Sequence, residues 1–82
     1  MTTVHALRHE VDQMEIVDGN LAARLDYILD SARIDADDTC YVEKAAPVEA
    51  YDRVALDSVA EILRHSDDAE ACAWFAARGV KW

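Results

Sequence analysis

His5 and His9 lie one helical turn apart, the spacing at which two imidazoles on one helix face can share a metal ion. The stretch His5-Ala-Leu-Arg-His9 lacks the glutamate of a zinc-protease helix and has no evident third ligand. Both histidines also fall off the apolar stripe of their segment, so a solvated pair is expected. Asp35-Ala-Asp37-Asp38-Thr39 begins like a calcium loop, with oxygen donors at alternate positions. Its sixth position is Cys40, where the loop needs glycine, and its twelfth is Ala46, where it needs a bidentate glutamate, so an EF-hand is rejected. Cys40 and Cys72 sit in no metal or redox pattern and read as small buried hydrophobes in a reducing compartment. There is no glycine-rich phosphate loop and no nucleophile elbow. The chain is therefore expected to be no enzyme and to need neither metal nor cofactor.

The remaining chemistry is charge. The 82 residues hold 17 acids against 8 Lys and Arg, a formal net charge of -9. Such a surface repels phosphate backbones and anionic lipid, which argues against direct binding to nucleic acid or membrane and in favour of a basic protein partner. The imbalance is local. Residues 10–43 carry ten acids against Arg24 and Arg33, whereas residues 44–82 carry seven acids against five bases. In the latter part, Glu49 with Arg53 and Glu61 with Arg64 stand at the spacings of helical ion pairs. In the former, Asp26 and Asp30 are like charges four apart that Arg33 relieves only in part. Asp12, Glu15, Asp26, Asp30, Asp35, Asp37, Asp38 and Glu43 are the candidate partner-binding residues, and Trp74 and Trp82 the candidate hydrophobic anchors.

A field of carboxylates attracts an Arg- and Lys-rich surface over long range and can occupy a site made for a nucleic-acid backbone. The first functional expectation is a small acidic inhibitor that blocks a basic, nucleic-acid-binding protein surface. Phage-encoded inhibitors and bacterial immunity proteins have this size and charge, an analogy of composition alone. The second expectation is a homodimeric structural or regulatory module whose acidity serves solubility.

The elements that must position these residues read as helices. Fifteen alanines, and no sustained alternation of β-branched residues, predict an all-α single domain over 1–82, a three- or four-helix bundle. Val4, Leu7, Val11 and Met14 mark an amphipathic helix near 3–16, and Leu21, Leu25, Ile28, Leu29 and Ala32 mark another near 20–33. Two arrangements fit the junction. Gly19 can end the first helix with Asn20 capping the second, giving a hairpin. The apolar positions also stay in heptad phase through Asp18, as in one long or kinked helix that would dimerise through Leu21 and Leu25.

Residues 34–46 break the pattern, with a short extended segment expected near 40–43. A third helix follows Pro47, with an apolar face of Val48, Tyr51, Ala55, Val59, Ile62 and Leu63. Asp67 and Glu70 suggest a capping box for a fourth, Gly79 ends it, and Val80 folds back toward Phe75. Trp74 and Phe75 are expected mainly in the core, while Trp82 suits either core or interface. No uncharged stretch approaches the roughly 20 residues of a membrane span and no apolar leader follows Met1, so a cytoplasmic location is expected.

Overall fold

The computed structural model describes residues 3–42 and 48–82, with the side chains of 40–42 left aside. Four helices follow one another: α1 (Val4–Met14), α2 (Gly19–Val42), α3 (Val48–Arg64) and α4 (Ala69–Ala77). The described residues contain no strand, and the expected all-α bundle is the fold.

The first junction is a hairpin, not a continuous helix. Thr3 caps α1 by accepting the Ala6 amide at 3.1 Å, and α1 ends at Met14, whose carbonyl accepts the amides of Val17 and Asp18. Asp18, rather than Asn20, caps α2: its Oδ1 accepts the Leu21 amide at 3.1 Å. A carboxylate in the apolar heptad seam would be buried without a partner. As a cap it instead satisfies an amide left open by the first helical turn. Gly19 opens α2 and has no positive φ.

Residues 34–42 also differ from expectation. No extended segment forms at 40–42, because α2 runs on through the aspartates to Val42; residue 43 lies outside the described residues. Ala36, fully buried four residues after Ala32, continues the inward stripe that the surrounding carboxylates obscure. At 1.5 Å per residue the 24 residues of α2 span about 36 Å, close to the longest dimension of the molecule, 38 Å.

This helix is the axis of the domain, packing most extensively against α3 and also against α1 and α4. The core joins Val4, Leu7 and Val11 of α1 to Leu25, Ile28 and Leu29 of α2, Val59 and Leu63 of α3, and Phe75 of α4. No polar or charged residue is buried among the described residues. The stripe expected to dimerise through Leu21 and Leu25 is consumed here, with Leu25 fully buried and Leu21 packed against the core. On α3, Val48 is exposed rather than inward, while Ala55, Val59 and Leu63 hold the inner face.

The cap of α4 is one residue later than the capping-box spacing suggests: Asp68, not Asp67, accepts the Ala71 amide at 3.1 Å. The exit matches expectation. Gly79 has φ 87°, its amide reaches the Ala76 carbonyl and the Val80 amide that of Phe75, both at 3.1 Å, and Val80 is buried. This is a Schellman motif, with Val80 and Phe75 at the positions of its apolar contact.

Candidate functional site: the acidic face of α1 and α2

The antiparallel hairpin brings one edge of α1 against one edge of α2. Arg8 projects from α1, and its two terminal nitrogens reach Asp26 Oδ1 and Asp30 Oδ1, each at 2.7 Å. The like charges four apart on α2 are thus bridged by a cation from another helix. Asp26 and Asp30 are not the uncompensated pair that their own helix implies, and Arg33 is not what relieves them.

Helical periodicity places the other charges around this fork. Asp12 on α1 and Glu15 just past its end follow Arg8 at i+4 and i+7; Asp30, Arg33 and Asp37 follow Asp26 at i+4, i+7 and i+11 on α2. Five carboxylates therefore share the α1/α2 face with two arginines. Asp12, Glu15, Asp37 and Asp38 are exposed and form no ion pair among the described residues. Asp38 lies on the crest of α2 opposite the core, one turn beyond exposed Ile34 and on the same face as the more distant Tyr27. Asp35 turns the other way and accepts the Ser58 hydroxyl of α3 at 2.5 Å. Glu43 lies outside the described residues.

A second electrostatic node ties α4 to α2. Arg24 Nη1 donates to both oxygens of Asp68 at 2.7 and 2.8 Å, and its Nη2 reaches Glu70 at 3.3 Å. The Ala71 amide above all holds the Asp68 carboxyl below its ordinary range, opposed by desolvation and assisted by Arg24, and Asp68 in turn raises the Arg24 pKa. Asp52 of α3 accepts the Val4 amide at 3.3 Å, placing a carboxylate at the positive end of α1. Arg78 stacks over Trp74 with its guanidinium 3.8 Å from the ring centroid, and donates to Glu10 at 2.9 Å. Arg64 meets Glu61 as expected, at 2.6 Å. Glu49 and Arg53 form no ion pair with each other or elsewhere among the described residues.

The candidate anchors separate. Trp74 is 8 % exposed and meets Phe75 edge-on at 5.0 Å, so it belongs to the core and cannot be a surface anchor. Trp82 is 42 % exposed. Exposed apolar groups that charge and heptad patterns did not single out are Tyr27 and Ile34 on α2 and Ile16 and Val17 in the hairpin turn. The seven-residue spacing of Tyr27 and Ile34 was the available signal for their common face.

Cys72 is half-buried, with Sγ 3.8 Å from the Leu63 carbonyl. His5 and His9 are both exposed, and no group of three metal-ligating side chains occurs among the described residues. No described helix is long and apolar enough to cross a membrane. The fold thus defines a small four-helix domain with one long axial helix. No protein-family model, curated protein or solved structure matches the chain at a significant level.

Proposed function

We propose that this protein is an acidic protein-binding module, a non-enzymatic inhibitor that covers a basic, nucleic-acid-binding surface of its partner with the α1/α2 face. The observation that carries this reading is the Arg8 bridge, which sets Asp26 and Asp30 at the α1/α2 seam, with Asp12, Glu15 and Asp37 in the same helical phase and Arg8 and Arg33 as the arginines of that phase among the described residues. Fixed carboxylates speed encounter with an Arg- and Lys-rich surface and can form charge-assisted pairs on contact. Tyr27 and Ile34 add exposed apolar area beside those charges, the combination of desolvated anchor and charged surround found at binding hot spots.

Helix α2 itself supports a role for its acids beyond stability. Asp37 and Asp38 lie in the C-terminal part of the helix, whose last turn contains no basic residue. Negative charge toward that end opposes the helix dipole. Local choices that oppose stability are expected where a surface serves function.

The test is capture from a bacterial lysate at low and high salt, with wild type and with Asp12→Lys/Glu15→Lys/Asp37→Lys. Those three positions leave the Arg8 fork intact, so helical content should be unchanged. Retention of a basic nucleic-acid-handling protein at low salt, its release at high salt and its loss with the triple variant is the expected result. Equal retention by the reversed protein would refute the reading.

A further inference from the structure

On the opposite flank of the α2 crest, an open groove of about 680 Å³ lies between α2 and the end of α3. Its floor is apolar, formed by Ala23 and Ile28 of α2 and Ile62 of α3, and Tyr27 forms one wall. Tyr27 is 73 % exposed, so its ring stands up beside the floor rather than filling it. The polar groups are confined to the rim. There Arg24 is already engaged by Asp68 and Glu70, and His65 Nε2 lies 3.1 Å from Glu61.

This arrangement discriminates between ligands by charge. The guanidinium is occupied by two carboxylates of its own chain, which leaves it poorly placed to receive an anion. Of the residues that line the groove, Glu61 and Asp68 outnumber the one arginine, Arg24, and Glu70 adds a further carboxylate behind Arg24, while Glu61 is paired with Arg64. Beyond the rim, Asp35 and Asp38 continue along α2 with no cation paired to them among the described residues. An apolar floor with a negative surround complements an element that is apolar on one side and basic on the other.

We infer that the groove seats a basic amphipathic helix of a partner protein, with its apolar side chains on Ile28 and Ile62 and its lysines or arginines toward Asp35 and Asp38. A helix is the fitting shape because the groove runs between two packed helices, where a third lays its ridge of i, i+3 and i+4 side chains. The inference rests on the reading that the partner is basic, and names the element by which that partner is held.

The probe is a synthetic peptide of roughly 18 residues with leucine and lysine in helical periodicity, titrated into the isotope-labelled full chain. A lysine-only peptide of equal length and a leucine–glutamate counterpart serve as controls. Amide shifts at Ala23, Ile28 and Ile62, with binding roughly tenfold tighter than that of the lysine-only peptide, are expected. Tyr27→Ala/Glu61→Lys should weaken the leucine–lysine peptide by roughly tenfold, since both side chains are exposed and outside the core. Shifts confined to the α1/α2 face, equal affinity for the lysine-only peptide, binding of the leucine–glutamate peptide or insensitivity to the double variant would each overturn the inference. In those cases, loss of lysate capture by the Asp12, Glu15 and Asp37 reversals would still uphold the blocking role. Failure of the reversals alone would remove that role and leave the peptide result standing.

Discussion

Asp68 serves two elements at once, capping α4 through the Ala71 amide and holding Arg24 of α2. The two tasks separate by substitution. Asn retains a capping oxygen but loses the charge, whereas Ala loses both. The melting temperature should therefore fall for Asp68→Asn and fall further for Asp68→Ala, as measured by circular dichroism. Because the folded-state pKa of Asp68 is depressed below 3.8, its contribution is complete above that value and is lost as pH falls through the lower, folded one. The difference between wild type and Asp68→Ala should accordingly shrink in strong acid and stay constant above about pH 5. The two glycines also part company. A Cβ at Gly19 meets open space within a helical turn, so Gly19→Ala should stabilise by about 0.5–1 kcal/mol in chemical denaturation. Gly79→Ala should destabilise by about 1 kcal/mol or more, since its left-handed backbone is strained for any side chain. The role of Gly79 was legible because a glycine closes an apolar run there. At Asp67-Asp68 and Asp18-Gly19-Asn20 several capping types are adjacent, and only backbone geometry decides which one caps.

Among the elements, α1 and α2 illustrate why an isolated reading of one helix misjudges its charges. Within α2 the pair Asp26 and Asp30 is repulsive. Across the hairpin it becomes a two-pronged acceptor for Arg8. All three side chains are partly exposed, at 29, 34 and 45 %, so each bridge contributes well under 1 kcal/mol in isolation. Arg8→Met, which keeps the length of the stem, should nevertheless lower stability by about 1 kcal/mol, because it restores the repulsion as well as removing the attraction. Adding salt should narrow that difference, and urea titrations at two ionic strengths will show it. The helical nature of α1, α3 and the first part of α2 was readable from apolar spacing, and that of α4 from its capping and terminating residues. The end of α2 was not, because aspartates at 35, 37 and 38 disfavour helix locally while buried Ala36 holds the segment to the core through contacts far along the chain.

For the whole molecule, composition indicated an acidic surface but not its division. The hairpin sorts the charges into a face shared by α1 and α2, and Asp35 is turned instead toward α3. That sorting depends on which helices are neighbours, which one-dimensional spacing does not contain. The apolar groove was equally hidden, since its floor combines residues from positions 23 to 62. The inward stripe of α2 has a further consequence. A single helix that touches all the others leaves little more than the slight contact of α1 with α3 once it melts. Native-state hydrogen exchange should therefore find the amides of Leu25, Leu29 and Ala32 released only by global opening, with one common free energy and the same denaturant dependence. The domain would lack an independently folding part, and a ligand held anywhere along α2 would slow exchange throughout the protein.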